Sequence, residues 1–486
     1  MSRYCVTFPL ETEKYQEDIL NKRFEIGRKI YNAVLSMVYK RYRSLIETKS
    51  YRLLKQQIKD SDEKQRKLLY KQLNEMYKWH RLNEYSLHQD VKKMQHHFKE
   101  NIDSFTAQKI ATRVWKAMED LLYGDGDKVH FKRYGELDTL EGKSNKTGIR
   151  FKDNQLIWNR LKVGVKIDYD NPYEFQALRD EICYCRIKRK FVKGKYKYYL
   201  QIVFKGSPAL KINKEGQIKR DIGLGAVGLD IGTQTIAISS NNDVKLLELA
   251  DRVQKIENQK RRLLRYMDRS KRANNPENFK KDGTIKKGKL TWNKSNKYKK
   301  AQSELREIYR KQADIREYQH QLMSNYILSL GDKIYVEEMN FKALGRRSKK
   351  KEDSEKTGKN KKKKRFGKSL ANKAPSKLLT LLDNKLKYFG KELIKVNTKE
   401  VKASQYNHIN GEYNKKKLSQ RWNDLDGVKV QRDLYSAFLI QHVNDNLKSI
   451  NQGKCREYFD KFMVLHDKEI QRLSNTELKS ALKNVV

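Results

Sequence analysis

The chain has 486 residues and carries 108 Lys and Arg against 60 Asp and Glu, a formal net charge of +48. Charge this one-sided repels itself in a compact state and finds its counterpart in a polyanion, so nucleic acid contacted over long stretches of backbone is the first inference. The length exceeds one ordinary core and predicts about two to four domains. A membrane surface is the other available polyanion, but no apolar run is long enough to span a bilayer and there is no lipidation motif or signal peptide. The four cysteines, Cys5, Cys183, Cys185 and Cys455, form neither a disulfide framework nor a CxxC pair, which suits a reducing cytoplasm.

In chain order, Tyr4 to Phe8 reads as a short strand stopped by Pro9. A helical region follows. Ile26, Ile30, Tyr31, Val34 and Val38 share one face at helical spacing, and charged helical patterning continues through Leu53, Leu68, Leu69, Leu73 and Met76. Asp103 or Ser104 is placed to cap a further helix with the face Ile110, Val114, Trp115, Met118 and Leu121, and Gly124-Asp125-Gly126 ends it. Residues 10–125 are therefore expected to form a helical unit. Its basic side chains, taken one at a time, are more often a solvated face than a contact.

From about Val129 to Gly206 the period changes to two. Gly148–Phe151 and Gln155–Trp158 predict a hairpin around Asp153-Asn154; Val163, Val165 and Ile167 alternate. So do Cys183, Cys185 and Ile187, and, after Gly194, Tyr196 through Phe204. This predicts a barrel-like sheet in which Cys183 and Cys185 share a core face rather than bind metal. The Arg, Lys and Tyr side chains on these strands could stack on and neutralise RNA.

The run Val227–Ile238 (VGLDIGTQTIAI) predicts two buried strands joined by a turn at Gly232. Asp230 sits in the middle of the apolar run, where an ionised carboxylate is costly without a partner, and a metal ion is the natural one. Just before it, Gly223-Leu224-Gly225-Ala226-Val227-Gly228 matches the dinucleotide-binding fingerprint GxGxxG. That motif requires a strand before it and a helix after it; here a polar segment precedes and a strand follows, so a linker into the strand is expected.

Leu246–Leu249 predicts a third strand, and Ile256–Met267 and Ala301–Leu330 two helical stretches. Lys333–Phe341 (KIYVEEMNF) predicts a buried strand ending in carboxylates, followed by a polybasic stretch from Arg346 to Lys368 that reads as a phosphate-seeking loop or a linker. Leu378–Phe389 predicts a helix ended by Gly390, Glu392–Val396 another strand, and Gln431 onward a helix with Asp433 in its first turn. Asp230 inside a strand, Glu337 at a strand end and Asp433 at a helix start thus recur in an order of elements that fits an RNase H-like mixed sheet flanked by helices. Three carboxylates can hold two Mg²⁺ about 3.5–4 Å apart for in-line attack at phosphorus. All-oxygen ligands point to Mg²⁺, with Mn²⁺ able to substitute, rather than zinc.

These three motifs resemble the split RuvC nuclease domain of the transposon-encoded TnpB proteins and the compact type V CRISPR effectors. Val227–Ile238 is similar to the first RuvC motif of that family. Ile334–Leu344 is similar to the second, in which the first acidic residue of the pair is the ligand, hence Glu337 rather than Glu338. Gln431–Ile440 is similar to the third, with Asp433 as its Asp. Ile315–Leu322 and Lys385–Leu393 resemble the segments on either side of the second motif. The resemblance implies an α+β multidomain protein: a β-barrel-like wedge domain (1–9 and 126–215), a helical recognition domain inserted in it (10–125), and an RNase H-like (RuvC) α/β nuclease domain (216–402 and 428–486). It further implies an RNA-guided DNA endonuclease, prokaryotic and cytoplasmic and acting at the nucleoid. Its partners would be a guide RNA and target double-stranded DNA, with no membrane and no small-molecule cofactor, and Asp230, Glu337 and Asp433 would be both catalytic and metal-ligating.

The chain departs from the family in residues 403–427, where a four-cysteine zinc ribbon is usual. The places of the two CxxCG knuckles fall in Ser404–Gly411 (SQYNHING) and Trp422–Gly427 (WNDLDG), where the spacing is kept and every cysteine is Asn or Asp. Asn, Asp and Gly keep the turn chemistry but make no tetrahedral zinc site, so a degenerate zinc-ribbon-like insert without zinc is expected. Two other functions fit less of the sequence: a guided DNA-binding regulator without cleavage, and an RNA-independent transposase or junction nuclease of RNase H fold.

Overall fold

A computed structural model describes residues 3–124, 126, 128–210, 212–213, 218, 221–345, 366–417 and 420–475. The chain divides into two units, Met1–Leu210 and Lys211–Val486. Most of the polybasic stretch Arg346–Lys368, the expected boundary at residues 215 and 216, and Asp125 lie outside the described residues.

In the first unit, β1 (Arg3–Glu11) alternates strictly, burying Tyr4, Val6, Phe8 and Leu10. It runs through Pro9 rather than stopping there. Pro9 is the last residue paired with β7; Leu10 and Glu11 pair with β5 instead. The missing N–H falls where the strand changes partners, so no ladder bond is lost in mid-strand. Helices α1 (Lys14–Glu47), α2 (Lys49–Asp60), α3 (Glu63–Trp79), α4 (Glu84–His97) and α5 (Ser104–Leu122) follow. Thr48, Asp62, Asn83 and Asp103 cap α2 to α5 through side-chain oxygens, which satisfies backbone N–H groups that have no partner within the helix. The α1 face is buried as its spacing predicts. On α2 and α3 the packing rows are Leu54/Ile58 and Leu73/Tyr77, while Leu53 and Leu68 face solvent at 54% and 60% exposure.

The strands of this unit are β2 (Thr139–Glu141), β3 (Arg150–Lys152), β4 (Gln155–Trp158), β5 (Leu161–Val165), β6 (Ile182–Val192) and β7 (Lys195–Lys205), with a short helix α6 (Pro172–Ala177) before β6; the strands join β1 in a seven-stranded sheet ordered β2-β6-β7-β1-β5-β4-β3. Asp153 and Asn154 both take positive φ, the tight hairpin geometry their residue types favour. The sheet curls until β3 and β6 meet. Asn145 bonds the Phe151 backbone in both directions and accepts from the Cys185 thiol. Cys185 is a core residue, but the β6–β7 register shifts between Ile182 and Tyr184, and this bulge leaves Cys183 only half-buried.

The second unit is built on a five-stranded sheet ordered β10-β9-β8-β11-β12, from β8 (Ala226–Ile231), β9 (Thr235–Ser240), β10 (Val244–Glu248), β11 (Lys333–Glu337) and β12 (Ile394–Val396). The first three are antiparallel; β11 lies parallel to both β8 and β12. On one face Val227, Leu229, Ile231, Ile334 and Val336 form a core with Ile327 and Leu328 of α7 (Asn296–Leu330) and Leu378, Leu382 and Leu386 of α8 (Pro375–Leu386). On the other, Ala237, Leu246 and Val396 pack with α9 (Arg432–Gln441) and α10 (Gln452–Ser474). Gly223-Leu224-Gly225 leads straight into β8 with no helix after it, so the dinucleotide fingerprint lacks its required context. No helix among the described residues is long and apolar enough to cross a membrane.

Candidate active site

The period of two along β8 sends Val227, Leu229 and Ile231 to one core and turns Gly228 and Asp230 toward α9. The contact at Gly228 is extreme. A Cβ there would lie 2.0 Å from the Ala437 carbonyl oxygen and 2.4 Å from the Gln441 nitrogen, so only glycine lets the helix lie down on the strand. Two residues of strand and one turn of helix cover similar lengths, about 6.6 and 5.4 Å. The step from Gly228 to Asp230 therefore runs beside the step from Ala437 back to Asp433.

Glu337 reaches the same place from the sheet. The parallel pairing runs as far as Val336 beside Leu229, so Glu337, the next residue, turns to the face that Asp230 shares. The structure thus brings all three sequence-predicted carboxylates into one neighbourhood, and their electrostatics show it. Burial, then the charge of Asp433, then that of Glu337 push Asp230 well above the usual carboxylate range, with Arg432 pulling the other way. Burial alone raises Glu337 to about 7.

Asp433 is held differently. The Arg432 guanidinium donates to its Oδ1 from Nε at 3.1 Å and Nη2 at 3.0 Å, and from Nη1 to the Gln420 carbonyl. Gln431 caps α9, its side chain accepting from the Leu434 N–H at 2.8 Å. The Gln431 N–H donates to Nε2 of buried His466 on α10 at 3.0 Å, which fixes His466 as the tautomer that donates from Nδ1 to Asp467. Neither Arg432 nor His466 has a signature in the sequence. Neighbours in a helix do not normally face each other, and the two elements joined by His466 are separated in the chain.

The donor set, carboxylate oxygen throughout, fits a hard divalent cation, and a cation would offset both the burial and the repulsion that raise Asp230. As they stand, no three His, Cys, Asp or Glu side chains among the described residues are gathered tightly enough to hold a metal ion. Asp433 spends its charge on Arg432 instead.

The described residues of this segment, 403–417 and 420–431, include a turn at 407–411 and a hairpin, β13 (Trp422–Leu425) and β14 (Val428–Gln431), with its turn at 424–427. Asn407 accepts from the Ile409 N–H, Asn410 from the Glu412 N–H and Asp424 from the Gly427 N–H, while Gly411 and Gly427 supply positive φ. These three side chains are thus occupied with local backbone bonds, whereas the buried Asn423 amide has no hydrogen-bond partner among the described residues.

No family model matches the chain, and no curated protein matches it. Among solved structures it is similar to a chain of a CRISPR-Cas12f ternary complex, at a TM-score of 0.29 and 13% identity, covering 89% of this chain and 83% of that one. A likeness at that score carries no weight for function.

Proposed function

We propose that the protein is an RNA-guided DNA endonuclease of RuvC type. The observation that carries this reading is the gathering of three carboxylates from two paired strands and the helix packed on them, Asp230 on β8, Glu337 on β11 and Asp433 on α9, near enough for Asp433 and Glu337 to add to burial in raising Asp230. The strand order, three antiparallel then two parallel with helices on both faces, supports an RNase H-like assignment. The net charge of +48 suits two bound nucleic acids, a guide RNA and its DNA target. The first unit would hold the RNA; pairing with the guide would read the DNA sequence.

In this reading Asp230, Glu337 and Asp433 would hold two Mg²⁺. Bound magnesium would polarise the scissile phosphate and make water nucleophilic at neutral pH. Asp433 would first give up the bonds it accepts from Arg432, whose guanidinium is also held by the Gln420 carbonyl. Burial holds Glu337 partly protonated near neutrality, so ligation by its carboxylate displaces a proton. The turns at residues 407–411 and 423–427 keep a ribbon-like shape without zinc.

The pairing of Asp433 with Arg432 favours one alternative, a guided DNA-binding regulator that does not cut. One experiment separates the two: purified protein with its co-purifying RNA, Mg²⁺ and matched duplex DNA. The nuclease cuts, and Asp230→Ala abolishes cutting by at least about 10³-fold while guided binding stays within about twofold. Undiminished cutting by Asp230→Ala removes the site assignment, and binding without cutting by the native protein establishes the regulator.

A further inference from the structure

Helices α3 and α5 of the first unit leave a space of about 510 Å³ between them and the loop after α3. Packed helices normally fill such a gap with aliphatic side chains. Here its inner part is lined by buried Tyr77 and Leu82, and its sides by half-buried Trp115 and by Tyr123, which is 51% exposed. Tyr77 and Tyr123 meet edge to face, with ring centroids 5.5 Å apart at 88°. One row of α3 brings Lys71, Asn74 and Lys78 to the rim. Asn83 spends its side-chain oxygen on capping α4, and its amide donors remain for a ligand. Trp79, 86% exposed, and Tyr85, 81% exposed, bracket the loop that carries Leu82 and Asn83.

The lining names the kind of ligand. Its two lysines are matched by Glu75 and Glu119, so it is not a phosphate trap. Aromatic surface inside and amide and charged groups around the edge suit a flat, uncharged heterocycle with donors and acceptors on its rim. On a chain with this net charge, such a group is delivered by a nucleic acid, and only an unpaired base can leave its stack to enter. We infer that this pocket receives a single unpaired nucleobase from bound RNA or from a displaced DNA strand, stacking it against Tyr123 and Trp115. The inference rests on the nucleic-acid reading above and adds to it a base-stacking site remote in sequence from the carboxylates.

The test uses the full chain and unstructured oligonucleotides of about 16 nucleotides, one RNA carrying 4-thiouridine and one DNA carrying 4-thiothymidine, with crosslinked peptides located by mass spectrometry. Crosslinks are expected in 71–83 or 115–123; the arm that gives them identifies the source of the base. Tyr123→Ala should weaken binding in that arm about 5- to 150-fold, the loss of one base–aromatic stack. Tyr123→Phe should stay within about twofold. Tyr123 is exposed enough that both variants should melt with the native protein. Crosslinks confined to other segments, with Tyr123→Ala binding as the native chain does, overturn the pocket and leave the guided reading standing. Failure of the native protein to bind either oligonucleotide overturns both.

Discussion

At the scale of single residues, the candidate site is a set of carboxylates held under electrostatic strain. Glu337 is raised from an unfolded value of 4.5 to about 7 by burial. A raised carboxyl stabilises the fold while protonated, so its contribution is fully present below about pH 4.5 and is lost as pH climbs through about 7. Glu337→Gln removes that loss. With divalent cations chelated, it should raise the unfolding free energy by on the order of 2–3 kcal/mol at pH 8 and change little at pH 4.5, as measured by urea denaturation at the two pH values. The three carboxylates were legible in the sequence because each interrupts an apolar run or opens a helix, places where a lone charge needs a reason. Arg432 was not legible: whether a guanidinium turns back on its neighbour depends on the Gln420 carbonyl that holds its other end.

Among the elements, alternation and helical spacing revealed what they usually do. The β8 and β9 strands, the α1 face and the Asp103 cap follow directly from residue order. Choices made by tertiary packing stayed hidden: Leu54 inside rather than Leu53, a bulge at Cys183, a strand that passes through Pro9 because it changes partners there. The role of Gly228 was hidden for the same reason, since only the α9 backbone pressed against it shows why no side chain fits. Gly228→Ala should therefore cost about 2–4 kcal/mol of stability in urea unfolding, far more than an alanine in an ordinary strand. The turns at 407–411 and 423–427 carry a separate expectation. Asn407, Asn410 and Asp424 are tied to neighbouring N–H groups, and amide and carboxylate side chains in place of thiolates build no tetrahedral zinc site, so metal analysis of the purified protein should find no stoichiometric zinc, and a strong chelator should leave its melting temperature unchanged.

For the whole molecule, charge sets the terms of association. An excess of 48 positive charges predicts contacts dominated by released counterions. Affinity for duplex DNA or guide RNA should fall by about 10³-fold or more between 50 and 200 mM salt, read from a titration series at several ionic strengths. Length sets the terms of assembly. The hydrogen bond from the Gln431 amide to His466 ties the start of the Asp433 helix to a residue on α10. During synthesis Asp230 leaves the ribosome more than two hundred residues ahead of that imidazole. The growing chain can fold its first unit well before this final clasp closes, so the helix that carries Asp433 is among the last parts of the fold to be anchored.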